Sequence, residues 1–165
     1  MSYYSTKLLK WFLTRVVYLG IFMSYQSFSQ HITPLNPIGT YELNLQALEK
    51  DEEIYNTLGK IQVKPMTIDS IIINFYVCRG APSYNTGSFI DTLPYQNQEA
   101  EYKTKMDSSC TIYFTFSDSN VYVKQKSDFT LFCGFGYGVH VNDVFTKTSS
   151  KSPILRDYLT NQLIK

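Results

Sequence analysis

Apolar and polar residues alternate with a period of two along most of the chain from residue 38 onward, and this pattern predicts β-strands. The predicted strands are 38–45, 59–66, 70–80, 99–105, 110–117, 121–126 and 139–147. The strand 70–80 is apolar on both faces, which is typical of a central strand. The pattern therefore predicts a mainly β domain over 30–151, folded as an antiparallel β-barrel or a strongly curved β-sandwich of about seven to eight strands.

Two segments interrupt this alternation. The segment 80–98 contains Pro82, Pro94, two glycines and many small polar residues, and it predicts a long connection. After residue 151 the pattern favours a helix, with Ser152 as its N-cap and Pro153 in its first turn. Its apolar stripe contains Ile154, Leu155, Tyr158, Leu159 and Leu163. The sequence thus predicts a C-terminal helix over 152–165 that packs against the β domain.

The N-terminal segment 1–29 has the organisation of a secretory signal peptide. Its basic residues are Lys7, Lys10 and Arg15, and no acidic residue precedes Glu42. The apolar run 16–28 follows, and the small residues Ser27 and Ser29 suit a cleavage site before Gln30. This run is shorter than the roughly 20 residues that span a bilayer, so cleavage is favoured over an uncleaved anchor. The mature chain is expected in the periplasm or outside the cell, without stable insertion in a membrane.

The three cysteines of the chain are Cys78, Cys110 and Cys133. An exported protein meets an oxidising compartment, so at least one pair is expected to form a disulfide. Cys110 and Cys133 border the same predicted hairpin, which favours their pairing and leaves Cys78 as a buried free thiol. A disulfide that involves Cys78 stays open as an alternative. The spacings contain no C-x-x-C motif, and three isolated thiols do not form a zinc site.

The charge balance is nearly even, with 15 Lys and Arg against 14 Asp and Glu and a net charge of +1. A chain of this charge lacks the concentrated basic surface that binds nucleic acid, so no nucleic-acid partner is expected. Its 16% aromatic content also separates it from disordered chains, which contain few aromatic residues.

The sequence lacks most catalytic constellations. It has two histidines, His31 in the lead-in to the first strand and His140 at an outward position of the last predicted strand. No G-x-S-x-G elbow presents a serine, and no His, Cys or carboxylate set has metal-ligand spacing. The run Gly134–Gly138 precedes a predicted strand, whereas a phosphate-binding loop precedes a helix, so these glycines indicate a corner. Neither enzymatic activity nor a cofactor is expected.

The segment Arg79–Gly87 is the best candidate for a functional loop. It combines a cation, a hydroxyl, an aromatic ring and an amide in Arg79, Ser83, Tyr84 and Asn85. Arg and Tyr are favoured anchors of protein interfaces, and a loop stiffened by Pro82 loses less entropy on binding. The alternative is that the segment only makes two turns and Tyr84 packs back onto the sheet.

The second half of the chain resembles small bacterial exported domains associated with periplasmic lysozyme-inhibitor-type proteins. The residues that carry the resemblance are Cys110, Ile112, Phe114 and Phe116, then Val121 and Val123, then Cys133 and Gly134, together with Gly39 and Tyr41 near the first strand. The resemblance implies a β-barrel stapled by a disulfide, and a loop whose Ser and basic residue enter the lysozyme cleft against its catalytic carboxylates. Arg79 and Ser83 are inferred to take those parts, with Tyr84 in the sugar groove.

The leading hypothesis is an exported cell-envelope binding protein that inhibits lysozyme or another cell-wall hydrolase through the loop 79–87. A lipocalin-like carrier of a small apolar ligand is the first alternative, and a cavity lined by inward Phe and Tyr would favour it. A carboxylate-based hydrolase is the second, since Asp91, Asp107 or Asp143 could pair in three dimensions. A filled interior with a projecting loop would favour the inhibitor.

Export can be tested by expressing the complete sequence in a bacterial host and determining the N-terminus of the product by mass spectrometry. Cleavage before Gln30 is expected, and Ser29→Leu should block it because signal peptidase requires a small residue there. A membrane-bound product that retains residues 1–29 would show that the segment is an anchor.

Overall fold

The computed structural model describes residues 35–43, 49–50, 53–104, 109–127, 133–158 and 160–164. These residues form an eight-stranded antiparallel sheet that is nearly closed into a barrel, and a separate two-stranded ribbon. The strands are β1 (Gly39–Leu43), β2 (Glu49–Lys50), β3 (Glu53–Ile54), β4 (Leu58–Pro65), β5 (Ser70–Cys78), β6 (Thr86–Pro94), β7 (Glu99–Lys103), β8 (Thr111–Phe116), β9 (Asn120–Lys126) and β10 (Asn142–Ser149). The predicted mainly β architecture is confirmed. The predicted signal peptide 1–29, His31 and Asp107 lie outside the described residues.

The barrel closes through side chains at one seam. The strand order is β6-β5-β4-β1-β10-β9-β8-β7, and within the described part of the chain no backbone ladder joins the two outer strands, β6 and β7. The rings of Phe89 and Tyr102 stack across this seam, with their centroids 3.6 Å apart. The Asp91 carboxylate accepts the backbone N–H of Thr92 at 2.8 Å. This side-chain bond at the edge satisfies a donor that an unprotected edge strand would offer to another chain.

The inward faces of the strands fill the barrel with apolar and aromatic side chains. Ile71, Ile73, Phe75 and Val77 of β5 are at most 3% exposed, as the alternation predicts. The inward residues of β8 and β9 are buried in the same way: Ile112, Phe114, Phe116, Val121 and Val123. The ring of Phe75 packs against four others, those of Phe89, Phe114, Phe135 and Phe145, at centroid distances of 5.2, 6.0, 5.9 and 6.3 Å.

The prediction of a long connection over 80–98 is wrong, because β6 occupies the middle of this segment. β6 pairs with β5 over its whole length, from Thr86 opposite Cys78 to Pro94 opposite Ser70. Pro94 is the last residue of an outer strand, where a missing backbone N–H is tolerated. The two prolines and the glycines therefore mark the ends of the strand, and the connection is only 79–85.

The predicted C-terminal helix is also wrong for the described residues 152–158 and 160–164, none of which is helical. The Asp157 carboxylate accepts the N–H of Thr160 at 2.6 Å and its hydroxyl at 2.9 Å. Such side-chain bonds to the backbone compete with helix formation and favour turns. The chain reverses here, and the N–H of Ile164 donates to the carbonyl of Leu155 at 3.0 Å. Of the predicted apolar stripe, Leu155 is 3% exposed whereas Ile154 is 74% exposed.

Residues 150–158 and 160–164, here called the C-terminal strap, cover the outward face of β5. The side-chain amide of Asn74 donates to the carbonyl of Arg156 at 2.8 Å, and the rings of Tyr76 and Tyr158 lie 4.9 Å apart. The strap therefore explains why β5 is apolar on both faces. The Tyr158 hydroxyl is buried and has no hydrogen-bond partner among the described residues. Burial raises the pKa of Tyr158 above its ordinary value, with smaller contributions from Glu42 and Tyr76.

The predicted disulfide is confirmed. Cys110 and Cys133 are bonded, with their Cα atoms 5.2 Å apart, and Cys78 is a buried free thiol. The bond joins the residue before β8 to the connection between β9 and β10. In the chain-entropy model, closing a loop of this length stabilises the fold by about 3 kcal/mol.

Phe75→Ala should lower the free energy of unfolding by about 3–5 kcal/mol, because it removes a buried ring that packs against four others. Urea unfolding followed by near-ultraviolet circular dichroism measures this change. The control Tyr122→Ala removes an aromatic ring that is 49% exposed and should change stability by about 0.5 kcal/mol or less. Equal losses for the two variants would contradict the packed interior.

Tyr41→Phe and Tyr158→Phe should have opposite effects at neutral pH. The Tyr41 hydroxyl donates to the carbonyl of Pro37 at 2.8 Å in a buried position, so its removal should destabilise by about 1–2 kcal/mol. The Tyr158 hydroxyl is buried without a partner, so its removal should leave stability unchanged or raise it. Urea unfolding at pH 7 compares the two variants, and a large loss for Tyr158→Phe would contradict this description of the strap.

In the same two variants, the free energy of unfolding should fall less steeply with rising pH in the alkaline range than it does in the natural chain. Burial raises the pKa of Tyr41 and of Tyr158, so the folded chain keeps these phenol protons at a pH where the unfolded chain releases them. Below about pH 10 both states are protonated and the two tyrosines make no difference. Above it, ionisation stabilises the unfolded chain and the free energy of unfolding falls. An unchanged slope between pH 10 and 11 in both variants would show that neither hydroxyl is desolvated.

Candidate functional site

The longer connections between strands all begin and end at one end of the barrel, here called the loop end. The connections 44–57, 79–85, 104–110 and 127–141 leave and re-enter the sheet there. At the opposite end the strands are joined by the short connections 66–69, 95–98 and 117–119. Binding residues are concentrated on loops that a rigid scaffold positions, so the loop end is the natural place for a site.

The connection 79–85, here called the binding loop, is held by its own backbone. The N–H of Arg79 donates to the carbonyl of Asn85 at 2.9 Å, and the N–H of Tyr84 donates to the carbonyl of Gly80 at 2.8 Å. Gly80 has a φ of 79° and packs against the carbonyls of Ile54 and Asn56, where a side chain would not fit. The N–H of Ala81 donates to the Ile54 carbonyl at 2.8 Å. These bonds fix the loop to the segment around β3.

Residues 135–138, here called the glycine turn, support the binding loop from its other side. The side-chain amide of Asn85 donates to the carbonyl of Tyr137 at 2.8 Å, and the N–H of Gly136 donates to the carbonyl of Thr86 at 2.9 Å. The glycines therefore form a turn that contacts the binding loop, in agreement with the predicted corner. The positive φ values of Gly134 and Gly138, 78° and 72°, explain the need for glycine there.

The structure places the four predicted binding residues on the binding loop in different situations. Arg79 and Ser83 are exposed, and Tyr84 is 47% exposed. Asn85 is half-buried and uses its amide on the Tyr137 carbonyl, so its contribution is to hold the loop. Arg79, Ser83 and Tyr84 are therefore the three of these residues that are exposed to solvent.

Two further exposed tyrosines lie at the loop end and were not predicted from the sequence. Tyr55 follows β3 and is 44% exposed, and Tyr137 in the glycine turn is 74% exposed. With Tyr84 they form a set of exposed rings, here called the tyrosine rim. The hydroxyl of Tyr55 donates to the Glu53 carboxylate at 3.1 Å, and this bond, the Glu53 charge and the neighbouring Tyr84 raise the pKa of Tyr55. An aromatic residue between glycines, as in Phe135–Gly–Tyr137–Gly, was the available signal for Tyr137.

The acids that could serve a hydrolase lie on separate strands. Asp91 is on β6 and Asp143 is on β10, and the strands β5, β4 and β1 separate them in the sheet. Asp91 already accepts a backbone N–H, which is a structural use. His140 is exposed, but it lies in the connection before β10 and not in the last strand, which was predicted to begin at residue 139. Among the described residues no group of three His, Cys, Asp or Glu side chains could hold a metal ion, and no helix could span a membrane.

A polar depression of about 280 Å³ lies at the opposite end of the barrel. Its lining residues are Asp118, Ser119, Lys147, Thr148, Ser149 and Ser150. The Lys147 ammonium lies 5.1 Å from the centroid of the Tyr41 ring and 3.4 Å from the Asn36 carbonyl oxygen. Burial lowers the pKa of Lys147, and the nearby Asp118 opposes this shift. The lysine thus caps the aromatic interior at this end.

No family model, no curated protein and no solved structure matches the chain. The resemblance to lysozyme-inhibitor-type domains therefore rests on the quoted residues alone. The geometry of the loop end is the basis on which a function can be assigned.

Proposed function

We propose that the chain is an exported cell-envelope binding protein that inhibits lysozyme or another cell-wall hydrolase. The observation that carries this proposal is the binding loop, which presents exposed Arg79, Ser83 and Tyr84 while backbone bonds at both its ends hold it in one conformation. A loop that is ordered before binding loses less entropy when the complex forms. An ordered loop with exposed polar and aromatic side chains suits inhibition by insertion into a cleft.

The chemistry of the exposed groups matches an acidic, sugar-binding cleft. Glycoside hydrolases carry a pair of carboxyl groups on either side of the scissile bond. The Arg79 guanidinium offers a planar set of donors that can bind a carboxylate with two parallel hydrogen bonds. Tyr84 and Tyr137 add exposed rings that can pack where sugar rings of the substrate would lie. We therefore place Arg79 against the catalytic carboxylates of the target.

The packed interior supports surface binding over the carrier hypothesis. Tyr41, Phe75, Phe114, Phe116 and Phe145 point into the barrel and are at most 1% exposed. Ligand-carrying barrels need an internal cavity, whereas these rings touch one another where a ligand would sit. The Cys110–Cys133 disulfide supports an oxidising location, in the periplasm or outside the cell.

The proposal can be tested by titrating the purified, disulfide-intact protein into lysis assays with lysozymes of different types. Stoichiometric loss of lysis at low micromolar protein or below is expected. Arg79→Ala and Ser83→Ala should each weaken inhibition by about tenfold, because each removes a polar contact in the cleft. Lys124→Ala is the control, since it removes an exposed cation on the outward face of β9.

Three outcomes would overturn the proposal or part of it. Activity of every lysozyme in the presence of the protein would remove inhibition as the function. Inhibition that survives both loop substitutions would move the site away from the binding loop. Stoichiometric binding of an apolar fluorescent probe inside the barrel, without inhibition, would support the carrier instead.

A further inference from the structure

We infer that the glycine turn holds the binding loop in its conformation, and that Gly138 is the positioning residue that sets where the Arg79 guanidinium lies. The inference rests on the proposed function for the importance of Arg79 to a partner. Its structural part concerns only this chain and can be tested without a partner.

The glycine turn contacts the binding loop and the strand that follows it at several independent points. Two hydrogen bonds, from Asn85 to the Tyr137 carbonyl and from Gly136 to the Thr86 carbonyl, join the two segments. A Cβ atom at Gly136 would lie 3.0 Å from the Cβ of Asn85, so the two segments are in close contact and a side chain here would require its neighbour to shift by a few tenths of an ångström. The turn thus fixes the C-terminal part of the binding loop, from Asn85 onward.

Gly138 contacts the first residue of the binding loop, through the end of the Arg79 side chain. A Cβ atom at Gly138 would overlap Nη1 of Arg79 and would lie 3.2 Å from its Cζ. The guanidinium therefore rests on the bare backbone of Gly138, in space that any other residue would fill. A long arginine side chain has many rotamers in solution, and this surface removes part of that freedom before a partner arrives.

The glycine turn is itself anchored to the barrel. The Phe135 ring lies over Gly87, where a Cβ atom would overlap it, and stacks on Phe75 with centroids 5.9 Å apart. Cys133, two residues before Phe135, is bonded to Cys110, the residue before β8. Core packing and a covalent bond together hold the turn, so the position of Arg79 depends on residues far from it in sequence.

Gly138→Asn is the test variant, because asparagine tolerates a positive φ better than other residues with a side chain. It keeps the turn and adds atoms in the space that the guanidinium occupies. Gly134→Asn is the matched control, since Gly134 is exposed and has a φ of 78° against 72° for Gly138. Unfolding in urea shows whether the two variants carry the same backbone strain.

The first readout needs no partner. The Nε–Hε signal of Arg79 in a proton–nitrogen NMR spectrum should shift in Gly138→Asn and stay in place in Gly134→Asn. Amide hydrogen exchange over residues 79–87 should also quicken in the paired variant Cys110→Ala with Cys133→Ala, while β5 stays protected. An unmoved Arg79 signal in Gly138→Asn would overturn the inference, whether or not the protein inhibits a lysozyme.

The second readout is a double-mutant cycle on affinity for the inhibited lysozyme. Gly138→Asn should weaken binding by about tenfold in the natural chain and by less than about twofold in the Arg79→Ala background. A tenfold loss in both backgrounds would show that Gly138 acts independently of Arg79, which contradicts the inference. If no lysozyme binds, the proposed function fails while the NMR result still decides the positioning role.

Discussion

The packing of the Phe75 ring is the interaction on which the rest of the structure depends. It packs against Phe89, whose ring also stacks on Tyr102 across the seam between β6 and β7. It also stacks on Phe135, which anchors the glycine turn and, through that turn, the binding loop. Barrel closure and the order of the candidate site are therefore two results of filling one interior volume at the density that protein cores require.

Much of the sheet could be predicted from sequence because its strands face a core on one side and water on the other. In β8 and β9 the polarity of each residue reports its side of the sheet. β6 and the strap could not be predicted in this way. Phe89 and Asp91 of β6 face a seam, which mixes apolar and polar groups. Hydrogen bonds of Asp157 and contacts with β5 determine the conformation of the strap, and the spacing of apolar residues in the sequence does not indicate them.

The candidate site, too, could be predicted only in part. Arg79, Ser83 and Tyr84 are close in sequence, and a loop that interrupts a strand pattern indicated them. Tyr55 and Tyr137 come from connections on either side, and only the topology, which gathers four connections at one end, brings them near. The role of Gly138 depends on a tertiary contact with a residue 59 positions earlier, since its φ accounts for the glycine but not for the guanidinium above it.

The place of β1 in the sheet has a consequence for the order in which the chain folds. β1, the first strand, lies between β4 and β10, the last, with antiparallel ladders to both. The sheet cannot be completed until Ser149 is available, so the first strand waits for nearly the whole polypeptide before both its edges are paired. Such long-range pairing slows folding. The barrel is therefore completed only when almost the whole chain is present, and a fragment that ends before β10 leaves one edge of β1 unpaired.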